Sequence, residues 1–129
     1  MILYLSGPMA KLPEHNYPAF GAARKQLRAA GYVVACPAEM GQRDGWEWGD
    51  YLRRDLRALT RCDAVAYLPG CDTSKGAMLE LRVAHALSMP VRAVTEWLSR
   101  AQVPSLTERD GIRCGLTVKQ ASEEGETDG

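Results

Sequence analysis

Glu80 is the residue whose neighbours in the sequence most clearly suggest a chemical role. The positions three and four residues away hold only glycine, alanine and valine, whereas a surface glutamate is commonly supported there by a lysine or an arginine. Acids are rarely buried without a partner unless they have a chemical task. We therefore interpret Glu80 as a functional carboxylate. The alternative interpretation is a solvated glutamate on a helix flank.

Asp55 repeats this pattern on an earlier helix. Its neighbours at helical spacing are tyrosine, leucine and alanine, which predicts no cation partner within the helix and a position beside its apolar face. Two such acids, on helices that lead toward the same sheet edge, are the components of acid/base or nucleophilic chemistry on a glycosidic-type bond. We expect the two carboxylates to converge on one substrate.

The segment before Glu80 is typical of an anion-binding turn. Residues 64–68 form a short apolar run that predicts a strand covered on both faces in a parallel sheet, and a Pro-Gly pair ends it. Ser74 is a credible N-cap for the helix that follows, and Gly76 in its first turn permits close approach of an anionic ligand. The turn is therefore suited to hold a phosphate.

Lys75 lies in the first turn of the same helix. A lysine is unfavourably placed there for the helix dipole, which favours contact with an anionic ligand as its role. An ordinary solvated lysine is the alternative, and the sequence leaves both open.

The N-terminus predicts a strand that runs directly into the site. Residues 1–5 are apolar and a Ser-Gly-Pro turn follows them, which places Ser6 and Gly7 at the carboxyl end of a strand. In open parallel sheets the ligand crevice lies outside those ends. Residues 8–17 contain two prolines and no periodicity, so we expect a loop long enough to cover a site. Its candidate ligand contacts are Lys11, His15 and Tyr17, although His15 reads more simply as an exposed loop residue.

The remaining pattern alternates helices and strands and predicts an α/β domain with a mainly parallel sheet. Further helices are predicted at 18–30, 48–61 and 74–87, with a weaker one at 96–101, and further strands at 32–36, 91–95 and 113–118. Two tryptophans, Trp46 and Trp48, end the loop that begins at Pro37. Their rings could stack on a nucleobase, and core packing of one of them is at least as favoured.

Composition narrows the classes of function. The 129 residues suffice for one globular domain, and 16 basic against 16 acidic residues leave no positive excess for a nucleic-acid duplex. Neither a membrane span nor a signal peptide is predicted, so we expect a cytoplasmic protein with a small-molecule partner. The four cysteines form no C-x-x-C pair and are expected to be reduced, and no metal site or cofactor is predicted. We expect a domain at residues 1–118 and an acidic disordered tail at 119–129.

Three segments, in this order, resemble the nucleoside 2-deoxyribosyltransferase superfamily. They are Tyr-Leu-Ser-Gly-Pro-Met at 4–9, Tyr-Leu-Arg-Arg-Asp-Leu at 51–56 with Cys-Asp-Ala-Val at 62–65, and Asp-Thr-Ser-Lys-Gly-Ala-Met-Leu-Glu at 72–80. The branch that the sequence resembles most is a group of small phage and bacterial proteins named DUF4406. The resemblance covers about residues 1–95. It implies a three-layer, Rossmann-like or flavodoxin-like domain with a four- to five-stranded, mainly parallel sheet, and a homodimer or higher homo-oligomer.

The resemblance also implies an activity, namely cleavage of the N-glycosidic bond of a deoxynucleoside or its 5'-monophosphate. Glu80 would attack the anomeric carbon, Asp55 would protonate or orient the leaving base, and Tyr4 would lie near the nucleophile. These three are the predicted catalytic residues. The predicted substrate-binding residues are Ser6, Gly7, Pro8, Met9, Trp46, Asp72, Ser74, Lys75 and Gly76.

One departure from the family pattern bears on the substrate. Transferases acting on free nucleosides tend to have an aspartate six positions before the nucleophile, where this chain has Ser74. The 5'-monophosphate N-hydrolases have a serine there followed by glycine, and here Lys75 displaces that glycine to position 76. The resemblance therefore favours a phosphorylated substrate and hydrolysis over transfer. The alternatives are a nucleotide sensor without turnover and, ranked lower, a phosphoribohydrolase whose Pro-Gly and glutamate motif is only echoed here.

Overall fold

In the described part of the chain, the main sheet has four strands, and all of them run parallel. A computed structural model describes residues 1–9, 12–102, 119–120 and 122–123. The strands are β1 (Ile2–Ser6), β2 (Val33–Ala35), β3 (Ala64–Tyr67) and β4 (Val91–Ala93), in the order β2-β1-β3-β4. This confirms the predicted parallel α/β sheet. The further strand predicted at 113–118 lies outside the described residues.

Within the described residues, four α-helices connect and follow these strands. They are α1 (Tyr17–Ala29), α2 (Trp48–Leu59), α3 (Lys75–Ala86) and α4 (Val94–Gln102). The first three begin and end within two residues of their predicted bounds, because each carries a clear apolar stripe. The fourth, predicted only weakly, starts directly after β4 and is longer than expected.

Helix α1 shows how the local sequence determines where a helix forms and where it ends. Phe20, Ala23 and Leu27 recur at helical spacing and are buried, and a proline occupies the first turn, where a missing N–H costs nothing. The helix ends where Gly31 adopts a φ of +101°, a conformation that favours glycine.

The sheet is covered on both faces, which makes the fold three-layered as predicted. Along β1, Leu3 and Leu5 face one side and pack against α1 and Trp97 of α4. Tyr4 faces the other side, where it packs with Leu59 of α2 and with α3. Because side chains alternate between the two faces of a strand, one face of β1 packs into the larger core and the other packs against α2 and α3.

The topology places a crevice between β1 and β3. The chain passes from β1 outward to β2 and then returns across the sheet to β3, so the connections after β1 and β3 diverge. Ser6 and Tyr67 are register partners at the carboxyl ends of these strands. Ligands of open α/β sheets bind at such a switch point.

Residues 2–98 form one compact unit, and the site described below lies within it. Two short strands, β5 (Lys119–Gln120) and β6 (Ser122–Glu123), pair with each other inside the segment predicted as a tail. The rest of that segment lies outside the described residues, so the boundary at 118 stays a prediction. No helix in the described part could cross a bilayer. The three described cysteines form no disulfide, and Cys114 is outside the described ranges.

Gly7, directly after β1, has no room for a side chain. A Cβ there would lie 2.8 Å from Cδ1 and 2.9 Å from Cβ of Leu68, and Leu68 is itself buried. We expect Gly7→Ala to lower the free energy of unfolding by about 1–3 kcal/mol, measured by urea denaturation. Gly21→Ala is the matched control, because its Cβ would meet only the flexible end of Arg24 at 3.8 Å. That change in a helix should stabilise by about 0.5–1 kcal/mol. Equal stabilities of the two variants would contradict the packing argument.

Candidate active site

Glu80 is held by two hydroxyl groups in the interior of the protein. The Tyr4 hydroxyl donates to Oε2 and the Ser6 hydroxyl donates to Oε1, each at 2.7 Å. Glu80 is only 6% exposed. Tyr4 and Ser6 lie two residues apart on β1 and therefore project from the same face toward α3. This arrangement excludes the alternative of a solvated glutamate.

The surroundings of Glu80 make it a carboxyl group that titrates near neutrality. Burial raises its pKa to about 7, against the lowering effect of the hydroxyls of Ser6 and Tyr4, and the negative charge of Asp55 adds to the rise. Burial and the neighbouring carboxylate likewise raise the pKa of Tyr4 well above its usual value. Such a shift is frequent in catalytic carboxyl groups.

Glu80 opens onto a cavity of about 710 Å³, within the size range of small-molecule sites. The cavity lies at the carboxyl ends of β1 and β3, where the topology places the crevice. Its walls come from the segment after β1, from α2 and from the start of α3. The lining residues that matter below are Ser6, His15, Trp48, Asp55, Ser74, Lys75 and Glu80.

Asp55 lines the same cavity, so the two predicted acids do face one space. Its predicted lack of a cation partner is wrong, because Nε of Arg54 lies 3.1 Å from its Oδ1. Helical spacing of three and four does not include the adjacent residue, whose long side chain turns back along the helix surface. Burial raises the pKa of Asp55, while Arg54 acts in the opposite direction.

Arg54 also fixes the loop before α2. Its Nη1 donates to the carbonyl oxygen of Gly41 at 2.8 Å, and its guanidinium lies over the rings of Trp46 and Tyr51. Trp46 packs edge-on against Tyr51 and does not line the cavity. The predicted contact of Trp46 with a base therefore has no support from the cavity. Trp48, which is 51% exposed, does line it.

The start of α3 supplies the predicted anion-binding features. The Ser74 hydroxyl accepts a hydrogen bond from the backbone N–H of Ala77 at 3.2 Å, which confirms the N-cap. The first N–H groups of a helix have no partner within the helix and favour an anion. The Lys75 ammonium lies 4.8 Å from the centroid of the Trp48 ring, at the cavity wall. Hydroxyl, ammonium and backbone donors are thus available on one wall.

The cavity gathers most of the predicted site. Two predicted residues, Trp46 and Asp72, are outside its lining, and Tyr4 lies behind Glu80. His15 and Tyr17 also line it, whereas Lys11 is outside the described residues. Within residues 1–9 and 12–101, no three His, Cys, Asp or Glu side chains come together as metal ligands. The predicted residues inside the lining are Ser6, Gly7, Pro8, Met9, Asp55, Ser74, Lys75, Gly76 and Glu80.

A family model described as "Domain of unknown function (DUF4406)" matches residues 1–93. The chain belongs to the DUF4406 family. That match covers all four strands of the sheet and every residue that lines the cavity. No match to a curated protein was found.

Two solved structures show what this DUF4406 fold is similar to. The 2-deoxyribosyltransferase from Bacillus psychrosaccharolyticus matches with a TM-score of 0.61 and 17% identity, over 83% of this chain and 95% of that chain. The 2-deoxyribosyltransferase from Leishmania mexicana matches with a TM-score of 0.55 and 17% identity, over 70% of this chain and 61% of that chain. At this identity the similarity shows the fold. It confirms the predicted likeness to the deoxyribosyltransferase fold.

Two contacts that shape the site were not predicted from the sequence. Ser6, a predicted substrate contact that lines the cavity, also donates its hydroxyl to Glu80. The signal was present, because Ser6 is two residues after Tyr4 and alternation puts both on one strand face. Arg54 was overlooked as the partner of Asp55, and adjacency in the sequence would have suggested it.

Proposed function

We propose that the protein cleaves the N-glycosidic bond of a nucleoside, or deoxynucleoside, or its 5'-monophosphate, with hydrolysis favoured over transfer to another base. The observation that supports this most strongly is the buried Glu80, held at both oxygens and open to a cavity shared with Asp55. A carboxylate fixed in this way can attack a sugar carbon, since it keeps one orientation and is shielded from water.

In the proposed reaction an oxygen of Glu80 forms a bond to C1' of the sugar. The C1'–N bond breaks and its electron pair leaves with the base, which takes a proton from Asp55. Burial raises the pKa of Asp55, so its carboxyl group is protonated for this step more readily than that of a solvent-exposed aspartate. Positive charge on the sugar in the transition state is stabilised by the carboxylate beneath it.

Water completes the cycle in the hydrolytic version. Its oxygen attacks C1', the bond to Glu80 breaks and returns the electron pair to the carboxylate, and a water proton passes to Asp55. Both acids are then restored. In transfer, a nitrogen of a second base takes the place of the water.

The wall formed by the start of α3 favours a 5'-monophosphate as the substrate. The Ser74 hydroxyl, the Lys75 ammonium and the first backbone N–H groups of α3 can all interact with phosphate oxygens. Asp72, the acid nearest in sequence, is outside the cavity lining, so its charge need not oppose the phosphate. A cytoplasmic location and a homo-oligomer remain predictions.

The experiment is incubation of the protein with a panel of nucleosides and 5'-monophosphates, with and without an acceptor base, followed by chromatography. We expect free base and sugar 5'-phosphate, without a requirement for acceptor. Product formed only with an acceptor would make the protein a transferase. Binding of a nucleotide without any release of base would support a sensor and overturn the proposed reaction.

A further inference from the structure

The two hydroxyl groups on Glu80 differ in their relation to the cavity. Ser6 lines the cavity, whereas Tyr4 is fully buried behind Glu80 and does not line it. Ser6 binds Oε1 and Tyr4 binds Oε2. Oε1 is therefore the oxygen bound by the residue that lines the cavity.

We propose that Ser6 is a positioning residue, whose hydroxyl fixes Oε1 of Glu80 for attack and favours the ionised carboxylate. This inference rests on the proposed function, because Ser6 would act only by orienting Glu80, the proposed nucleophile. It replaces the role of substrate contact that the sequence suggested for Ser6.

The burial of Ser6 supports this role. Ser6 is 1% exposed, and a buried hydroxyl requires a partner, which here is Oε1. Removal of the hydroxyl would leave Oε1 without its donor, so that only Tyr4 would restrain the carboxylate. Hydrogen bonds to a charged group are stronger than those between neutral groups, and they stabilise the charged form.

The other groups around Glu80 do not replace this contribution. Asp55, on α2, raises the pKa of Glu80 and so opposes its ionisation. Arg54 pairs with Asp55 and donates to the carbonyl oxygen of Gly41. Of the described lysines and arginines, none forms an ion pair with Glu80. The remaining titratable side chains on the cavity wall are His15, Tyr17, Tyr51 and Lys75. The neutral donors Ser6 and Tyr4 thus carry the stabilisation of the anion.

The test combines a direct titration with kinetics. In Ser6→Ala, the pKa of the Glu80 carboxyl, followed by 13C NMR of glutamate-labelled protein and assigned with Glu80→Gln, should rise by about one unit. The acid limb of the pH–rate profile for base release should move upward equally, so that activity near pH 7 falls by about fivefold and recovers at higher pH.

Two further variants keep the test decisive if Ser6→Ala does not fold. Ser6→Thr retains the hydroxyl and should restore the wild-type profile, whereas Ser6→Cys has a weak donor and should give a smaller upward shift. Ser88→Ala, at an exposed serine outside the cavity lining, should leave the pKa of Glu80 and the pH–rate profile unchanged.

The outcomes separate this inference from the proposed function. An unchanged Glu80 pKa together with a raised KM would make Ser6 a substrate contact and overturn the inference alone. Base release by wild type with no displacement of the acid limb in Ser6→Ala would do the same. Absence of release by wild type would overturn the proposed function, and this role of Ser6 with it.

Discussion

Glu80→Gln should abolish release of the base while leaving the fold intact. The amide oxygen can accept from one hydroxyl, and the amide NH₂ can donate to the oxygen of the other, so the contacts with Tyr4 and Ser6 can both be kept. An amide is not a nucleophile for C1', and we expect kcat to fall by roughly 10³-fold or more. Product chromatography measures the loss, and calorimetric binding of a 5'-monophosphate checks that the cavity is retained.

Two variants serve as controls for that result. Asp55→Asn should reduce kcat less, by about 10²-fold, since a general acid contributes less than the nucleophile itself. Glu96→Gln changes an exposed acid on α4 that pairs with Arg92 and should leave kcat unchanged. If Glu80→Gln kept a tenth of the wild-type rate, Glu80 would not be the nucleophile.

The effect of Glu80→Gln on the free energy of unfolding should depend on pH. The pKa of Glu80 is raised from an ordinary value of 4.5 to about 7 in the folded protein. The stabilisation that goes with the protonated form is therefore fully present below about pH 4.5 and is lost as the pH rises through about 7. At pH 8 the wild type has lost about 3 kcal/mol from this group relative to pH 4. Glutamine does not ionise and loses none of it.

Urea denaturation of wild type and Glu80→Gln at pH 5 and pH 8 measures this effect. Comparison across pH removes any constant difference in packing between acid and amide. Glu39→Gln is the matched control, because Arg28 lowers the pKa of Glu39. The stabilisation by Glu39 is therefore lost only as the pH falls below the ordinary value of 4.5, and the effect of Glu39→Gln should be nearly the same at pH 5 and pH 8. A difference between wild type and Glu80→Gln that does not vary with pH would refute the raised pKa.

Most of the fold could be predicted because its signals are local. The apolar residues of α1 and the proline and glycine at its ends determine that helix without reference to the rest of the chain. The weak prediction of α4 has a physical reason, since its burial depends on Trp97, which packs against the β1 face and donates to the carbonyl of Val65. Such distant contacts leave little periodic trace in the sequence.

The candidate site was predicted in part, and the wrong predictions about its residues share one cause. Glu80 and Ser74 both line the cavity, and the sequence pointed to them because helix spacing and N-cap preference are short-range rules. Trp48 lines the cavity and Trp46 does not, and the ring of Trp46 is instead contacted by Arg54 and Tyr51. Some side-chain contacts form only after α2, the loop before it and β1 have packed together. The spacing of residues along a single helix or strand cannot predict such contacts.

The position of Tyr4 and Ser6 on a central strand has a consequence for how the site moves. β1 is hydrogen-bonded on both sides, to β2 and to β3, and slipping its register by one residue would turn Leu3 and Leu5 out of their core. The orientation of the Glu80 carboxylate is therefore coupled to the cooperative unfolding of the whole sheet rather than to local fluctuations of a loop. Substrate entry and product exit must then depend on the loop segments at the rim, while the reacting atoms stay in place.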